Sequence, residues 1–287
     1  MKVLRLKIFQ PHAHYRIPFT FRRRHTYPIP PYSTVIGLIF NVLGIKDNNN
    51  GKFKKLKEGL SLAIYGNFES MTREYVWFRN LAVDSHNSRF GFPENRVIDF
   101  IPEHPGGQMP TRIDVLENVK LVIYIKHNDE IFLEKIKEAF KNPKERIYPL
   151  HLGRAEDWIV FDGDPDEAIK IVEINLEKKY FYGKLDYYTW IPDPQRGEKY
   201  IDPKIYDENF KKYFPKIKGS SHLITSFYEL KDGFRNFEYV PVKLFEQGDF
   251  PFYFGEPFKF IIDDELYIPL FLCKMIYPGG DKDGNMG

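Results

Sequence analysis

Charged and apolar residues alternate from the start of the chain. Between residues 3 and 9, one side carries Leu4, Leu6 and Ile8, and the other carries Val3, Arg5, Lys7 and Phe9. A period of two predicts a β-strand with one face in the core. Residues 119–126 repeat the pattern, with core positions Val119, Leu121, Ile123 and Ile125 and outward positions Lys120, Val122, Tyr124 and Lys126. The two strands are therefore expected to share a basic, partly aromatic outer face.

Two helices and two further strands complete the first half. Residues 33–45 are apolar on nearly every side, which predicts a buried helix ending at Gly44. Asp129 is a typical N-cap for a second helix that runs to Lys141 and stops before Pro143. Residues 60–68 and 158–161 are predicted strands.

This order of elements predicts an α+β fold. It is β-α-β, an excursion, then β-α-β, the order of ferredoxin-like and RNA-recognition (RRM-like) domains. Both helices would cover one sheet face. The open face would carry Arg5, Lys7, Lys120, Tyr124 and Lys126.

The excursion covers residues 75–112 and contains arginine and aromatic residues but no lysine. We interpret it as an inserted β-hairpin arm, because arginine with aromatics can grip a single nucleic-acid strand by phosphate pairing and base stacking. Arg79, Arg89 and Phe90 are its candidate contacts. A long loop packed on its own aromatics is the alternative.

Beyond residue 171, Tyr- and Phe-rich strand-like segments alternate with Pro/Gly turns. This predicts an RRM-like RNA-binding domain over residues 1–171 and a mostly β C-terminal domain over residues 172–277. Residues 278–287 are predicted to be a flexible tail.

A basic turn precedes the first helix. Arg22, Arg23 and Arg24 lead into a proline-rich stretch, after which Ser33 or Thr34 is a natural N-cap. Arginines and helix N–H groups at one place predict an anion site, with phosphate the usual occupant. An ordinary loop-to-helix entry with solvated arginines is the alternative.

Charge supports the phosphate interpretation. The whole chain has a net charge of +2, but residues 1–46 contain eight Lys or Arg residues and no Asp or Glu. Concentrated basic charge in a near-neutral protein is typical of a nucleic-acid footprint.

Other functional classes find little support. The one cysteine, Cys273, predicts a reducing, cytoplasmic compartment. The longest apolar run, residues 35–43, is too short to cross a membrane. The pair His12 and His14 lacks a third metal ligand, and no phosphate-binding loop, dinucleotide motif or zinc-finger spacing occurs. We therefore expect neither a metal nor a cofactor.

Two motifs together resemble the CRISPR-associated Cas-five family. They are Thr26-Tyr27-Pro28-Ile29-Pro30-Pro31-Tyr32-Ser33-Thr34-Val35-Ile36-Gly37-Leu38 and Tyr148-Pro149-Leu150-His151-Leu152-Gly153-Arg154-Ala155-Glu156. The resemblance covers the first half of the chain, weakens beyond about residue 170, and is greatest to the type I-B group.

The resemblance implies a role in antiviral defence as a subunit of the type I surveillance complex (Cascade). There the family caps the 5′ handle of CRISPR RNA and contacts the large subunit and a Cas-seven backbone subunit, with target DNA engaged indirectly. Its glycine-rich loop corresponds to residues 151–154. The expected RNA-binding residues are Arg22, Arg23, Arg24, Tyr27, Ser33, Thr34, Arg79, Arg89, Phe90, His151, Gly153 and Arg154.

Two alternatives remain open. One branch of the family is a metal-independent endoribonuclease that processes CRISPR repeat RNA with a Lys-His pair and a tyrosine. Here Lys126 and His127 would take those roles, with Tyr27, Tyr32 or Tyr65 third, unless the pair simply ends a strand. The other alternative is a protein scaffold whose basic turn docks on an acidic partner.

Overall fold

The computed structural model describes residues 1–20, 23–79, 97–98, 101–102, 108–181, 183–206, 208–249 and 259–278. The fold is α+β, as predicted, with a large and mostly antiparallel sheet. Of the predicted tail, residues 279–287 lie outside the described residues.

The helices are short. They are α1 (Tyr32–Leu43), α2 (Gly51–Lys57), α3 (Glu130–Lys141), α4 (Pro165–Ala168) and α5 (Glu208–Tyr213), with 3-10 turns at Glu198–Tyr200 and Phe214–Lys216. The strands are β1 (Lys2–Ala13), β2 (Tyr15–Arg16), β3 (Arg23–Arg24), β4 (Thr26–Tyr27), β5 (Ser61–Asn67), β6 (Ser70–Arg79), β7 (Val97–Ile98), β8 (Ile101–Pro102), β9 (Gln108–Lys126), β10 (Val160–Phe161), β11 (Ile169–Glu173), β12 (Lys179–Tyr180), β13 (Lys184–Leu185), β14 (Tyr188–Pro192), β15 (Ser220–Lys231), β16 (Phe234–Phe245), β17 (Gly248–Asp249), β18 (Lys259–Phe260), β19 (Ile262–Asp263), β20 (Ile268–Pro269) and β21 (Cys273–Lys274).

The main sheet is centred on β1 and β9. Both β10 and β11 pair with β1, and β9, β5, β14, β16 and β15 follow in that order. All of these pairs are antiparallel. Leu6 of β1 and Ile64 of β5 both lie opposite Ile123 of β9, so the predicted apolar stripe is continuous across three strands.

The predicted core face is confirmed. Leu4, Leu6 and Ile8 are buried together with their β9 counterparts and with apolar residues of α1, α2 and α3. Asp129 caps α3, because its carboxylate accepts a hydrogen bond from the N–H of Phe132 at 2.9 Å.

The predicted open face is wrong for most of its residues. Arg5 is 1% exposed and Tyr124 is fully buried, because segments that follow residue 171 cover this side of the sheet with a second core. The guanidinium of Arg5 donates to Asp263 at 2.8 Å, and the hydroxyl of Tyr124 donates to the same carboxylate at 2.7 Å. Lys126 pairs with Asp202 at 3.1 Å, whereas Lys120 stays exposed.

The strands on either side of residue 171 belong to one sheet. Thr189 of β14 lies opposite Tyr65 of β5, and β16 and β15 continue outward from β14. The predicted division into two domains at that point stays a prediction.

The predicted N-cap of the first helix is wrong. Pro31 has the extended N-cap conformation, and its carbonyl accepts from the N–H of Thr34 at 3.0 Å. Ser33 and Thr34 lie inside the first turn, where the hydroxyl of Ser33 contacts that of Thr225 at 2.6 Å. The N-cap therefore lies two residues before Ser33, the nearer of the two predicted positions, and the rigid prolines fix the backbone there. Gly44 ends α1 in the left-handed conformation, with φ of 70°.

Candidate nucleic-acid interface

Strand β6 extends the main sheet by pairing antiparallel with the first part of β9. We call this paired segment, together with β3, the arm root. The pairing runs from Ser70 opposite Glu117 to Arg79 opposite Gln108. The predicted hairpin arm over residues 75–112 stays a prediction, because most of its residues lie outside the described part of the chain. On the other side of β9, Arg23 of β3 lies opposite Arg112 in parallel pairing. Of the predicted contacts, Arg22, Arg89, Phe90 and the side chain of Arg79 lie outside the described residues.

Alternation along these strands separates Arg23 from Arg24. The side of the arm root that we call the Arg23 face carries Arg23, Arg73, Tyr75, Trp77, Arg112 and Asp114. On the opposite side, the Arg24 face, the guanidinium of Arg24 lies 3.9 Å from the ring centroid of Phe78. Glu74 on that face accepts from Arg154 at 2.7 Å. The two neighbouring arginines therefore cannot serve one phosphate together.

The Arg23 face combines cations with exposed aromatic rings. Tyr75 is 60% exposed, Trp77 is 55% exposed, and their rings meet edge to face at 6.1 Å. The exposed Arg112 lies directly opposite Tyr75. Rings with adjacent guanidinium groups can stack on bases and pair with phosphates of a single strand.

Asp114 holds this face together. Its buried carboxylate accepts from Arg23 and from Arg73 at 3.3 Å, and from Nδ1 of His25 at 2.9 Å. Burial acts to raise the pKa of Asp114, but the hydrogen bonds from Arg23 and Arg73 outweigh it, so that the pKa lies below its usual value. The carboxylate is therefore ionised at neutral pH.

A second buried carboxylate, Asp157, shapes the glycine-rich loop. It accepts from the backbone N–H of His14 at 2.9 Å and of Arg154 at 2.8 Å. Gly153 has φ of +100°, and a Cβ there would lie 2.7 Å from the carbonyl oxygen of His14. The glycine thus permits a close approach to the backbone of His14, which directly follows β1. Gly153, an expected RNA contact, therefore has a packing role within the protein.

Arg154, a predicted RNA contact, is largely engaged by carboxylates. Its guanidinium pairs with Asp157 at 2.9 Å and with Glu74 at 2.7 Å, and its side chain is mostly buried. These contacts tie the loop to the Arg24 face of the arm. The structure therefore gives Arg154 a bridging position between loop and arm.

His14 lies between the two buried aspartates, in contact with the backbone carbonyl of Asp114 and the carboxylate of Asp157. Its Nδ1–H donates to the carbonyl of Asp114 at 2.8 Å, so Nε2 is the acceptor atom, and Nε2 has no partner among the described residues. Burial lowers the pKa of His14, and the nearby charges of Arg154 and Arg24 lower it further. The sequence singled out this residue only as half of a weak metal pair.

A cavity of about 450 Å³ brings the two family motifs together. It lies between the start of α1, residues 147–153 and the β15–β16 hairpin. Ser33, Thr34, His151 and Gly153, all predicted from the motifs, contribute to its wall. A cavity of this size can hold a nucleotide-sized ligand.

Sequence reasoning missed the third wall of the cavity. It consists of Tyr228, Arg235 and Phe237, and the guanidinium of Arg235 lies 4.8 Å from the ring centroid of Tyr228. Arg235 is exposed to solvent. These residues belong to no recognisable local motif. They lie about two hundred positions after the first motif, and only the folding of the β15–β16 hairpin brings them next to it.

Tyr27, another predicted RNA contact, is a core residue. It is buried, and its ring packs edge to face on Trp190 at a centroid distance of 5.5 Å. Burial raises the pKa of its hydroxyl. Its position inside the core is incompatible with stacking on a base at the surface.

The structure contradicts the proposed catalytic pair. Lys126 is engaged in the ion pair with Asp202. His127 is buried. Its Nδ1 accepts from the N–H of Asp129 at 3.0 Å, and its Nε2 donates to the carbonyl of Lys55 at 3.0 Å. Both ring nitrogens are occupied by backbone groups. Tyr32 and Tyr65 are fully buried as well, so none of these groups can act on an RNA phosphodiester.

Neither a metal cluster nor a membrane-spanning helix is found among the described residues. No group of three or more His, Cys, Asp or Glu side chains in that part of the chain is arranged to hold a metal ion. Among the helices described, none is long and apolar enough to cross a membrane.

Comparison with known proteins identifies the family. The family model described as CRISPR-associated protein (Cas_Cas5) matches residues 3–190, which is more than half of the 287-residue chain. The chain therefore belongs to the CRISPR-associated Cas5 family, the family that its motifs resemble. Membership supports a role in CRISPR defence. No curated protein matches the chain in sequence.

Several solved structures are similar at low identity. A chain of a "CRISPR RNA-guided surveillance complex" is 12% identical, with 87% of this chain and 91% of that chain covered and a TM-score of 0.48. A structure described as a Cas protein is 13% identical over 87% of this chain and 95% of that one, with a TM-score of 0.42. A CRISPR protein from Archaeoglobus fulgidus is 14% identical over 90% and 89%, with a TM-score of 0.36.

Proposed function

We propose that the chain is a non-catalytic RNA-binding subunit of a type I, most closely type I-B, CRISPR complex that caps the 5′ handle of CRISPR RNA in the cytoplasm. Its partners would be a Cas-seven backbone subunit and the large subunit, with target DNA engaged indirectly. The N-terminal half would form the RRM-like core. The strand order β11-β1-β9-β5, with α1 and α3 on one face, supports that assignment.

The observation that carries the proposal is the cavity between α1, the loop and the hairpin. Two motifs more than a hundred residues apart meet there, and Arg235 supplies a cation at the cavity wall. Arg154 of the second motif is instead engaged by Asp157 and Glu74. Hydroxyls of Ser33 and Thr34 and the imidazole of His151 can hydrogen-bond a base or sugar. Tyr228 and Phe237 can stack on a base, and Arg235 can pair with its phosphate.

The Arg23 face would extend this contact along the strand. Its exposed rings and guanidinium groups suit consecutive nucleotides of single-stranded RNA. The Arg24 face, with its internal ion pairs, would act as the joint between arm and loop. This division revises the sequence-based expectation that three consecutive arginines bind handle phosphates as one group.

Titration of labelled handle RNA in EDTA, read on native and denaturing gels, tests the proposal. Arg235→Gln should weaken binding about tenfold, since a charge-assisted hydrogen bond is removed. It should also make the slope of log affinity against log salt shallower by about 0.7 for one phosphate that is no longer paired.

Lys184→Gln is the matched control, because Lys184 is an exposed cation outside the cavity wall. Equal losses of affinity in the two variants would mean that charge alone drives binding and would contradict a specific site in the cavity. Salt-insensitive or absent binding by the wild type would favour a protein scaffold. A discrete cleavage product on the denaturing gel would contradict the non-catalytic role.

A further inference from the structure

Asp114 occupies the point where the arm joins the sheet. It lies on β9 between β3 and β6, directly opposite Arg73, and its backbone carbonyl anchors the ring of His14. The side chain of Asp114 is 3% exposed, whereas those of Arg23 and Arg73 are 41% and 46% exposed. One end of each guanidinium therefore reaches a buried carboxylate while the side chain remains open to solvent.

The charges around Asp114 do not cancel. One carboxylate faces two arginines, Arg23 and Arg73, and the imidazole of His25, and Arg112 lies two positions earlier on the same face. The exposed surface therefore stays positive, although its anchor is negative. Since the carboxylate is buried beneath the cations, an approaching phosphate meets the guanidinium groups first.

Fixed guanidinium groups bind an anion better than mobile ones. A solvated arginine loses side-chain entropy when it forms a bidentate pair with phosphate, and prior anchoring reduces that loss. Arg23 contacts Asp114 through Nε and Nη2, and Arg73 contacts it through Nε. The two donors of Arg23 orient its guanidinium plane, and the single bond of Arg73 restricts the position of its guanidinium.

We propose that Asp114 is a positioning residue that presets Arg23 and Arg73 to receive two phosphates of an RNA strand lying along the Arg23 face. The inference rests on the proposed RNA-binding function and assigns a role within it to a buried acid. It leads to an unusual expectation: removing this negative charge should weaken binding to a polyanion.

The test compares Asp114→Asn with Glu117→Gln in RNA titrations over a range of salt concentrations. Glu117 is a second β9 carboxylate near the arm root, but it contacts His12 and Thr72 rather than an arginine. Asp114→Asn should lower affinity about tenfold. It should also make the salt slope shallower by about 0.7 for each phosphate that is no longer paired with an arginine. Glu117→Gln should leave affinity unchanged or raise it.

A double-mutant cycle separates positioning from a general loss of structure. In an Arg23→Gln and Arg73→Gln background, Asp114→Asn should cause no further loss of affinity, because the groups it positions are gone. A full additional loss in that background would overturn the proposal. Tighter RNA binding by Asp114→Asn would overturn it too, since Asp114 would then be a competitor for the arginines.

An RNA-free measurement distinguishes this inference from the proposed function. In ¹⁵N NMR spectra, the Nε–H signals of Arg23 and Arg73 should be protected from solvent exchange in the wild type and in Glu117→Gln, and lose protection in Asp114→Asn. Unchanged protection in Asp114→Asn overturns positioning even if RNA binds. If the wild type binds no RNA, the proposed function fails, and positioning for RNA fails with it.

Discussion

At the scale of single residues, two buried aspartates decide how the candidate interface is built. Asp157 accepts hydrogen bonds from the backbone of the glycine-rich loop and from that of His14, at the end of β1. Asp114 binds Arg23 and Arg73 at the arm root. Sequence reasoning identified Gly153 and Arg23 but neither aspartate. The acids lie in a short loop and in a strand without a recognisable motif, and their role appears only when distant donors are brought to them.

The left-handed backbone of Gly153 provides a first prediction at this scale. Gly153→Ala should lower the free energy of unfolding by about 2 kcal/mol or more, because it adds a clash with the carbonyl of His14 to the cost of a left-handed conformation. Gly163→Ala is the control: Gly163 has φ of +102° with open space around its Cβ position, so that the decrease should be about 1 kcal/mol. Chemical denaturation measures both, and equal decreases would show that the approach to His14 adds no strain.

The ionisation of Asp114 gives a pH prediction. Its pKa is lowered in the folded state, so its ion pairs stabilise the fold above the usual pKa of 3.8, and that contribution is lost as the pH falls through the folded value. The difference in unfolding free energy between wild type and Asp114→Asn should be fully present at about pH 5 and should shrink as the pH falls below about 4. A difference that grows as the pH falls from about 5 to about 3 would contradict the assignment.

At the scale of elements, the hydrophobic periodicity predicted those strands and helices whose buried face is visible in the local sequence. The alternation in β1 and late β9 and the capped pattern of α3 follow from local sequence, and the structure confirms all three. A period of two marks two different faces, but it does not say that the second face meets water. Arg5 looked like a surface residue because its partner, Asp263, lies more than 250 positions away.

The buried ion pair between these residues leads to an element-scale prediction. Arg5→Met should lower the free energy of unfolding by about 3 to 5 kcal/mol, because the buried carboxylate of Asp263 loses its cationic partner and keeps only neutral donors such as the hydroxyl of Tyr124. The double variant Arg5→Met with Asp263→Leu should recover part of that stability. Lys2→Met, which breaks the exposed pair with Glu130, should leave stability almost unchanged. If the Arg5 variant behaved like the Lys2 variant, the C-terminal segments would not depend on this pair.

At the scale of the whole molecule, one sheet unites residues that the sequence separates widely. The family motifs lie within the first 156 residues, yet their cavity is completed by β15 and β16, which lie beyond residue 219. The motifs could therefore be predicted to act together, whereas Arg235 and Tyr228 could not be found without the strand order. We propose that RNA binds where these three segments meet.

Photocrosslinking of handle RNA, followed by mass spectrometry of the linked peptides, shows whether RNA binds there. Peptides that contain Tyr148, Tyr228 or Phe237 of the cavity wall should carry the crosslinked nucleotide, with further links at Tyr75 and Trp77 on the Arg23 face. Unlabelled RNA should compete for these links. Crosslinks found only in peptides from the α2–α3 side, such as the peptide that contains Phe132, would contradict RNA binding at this cavity.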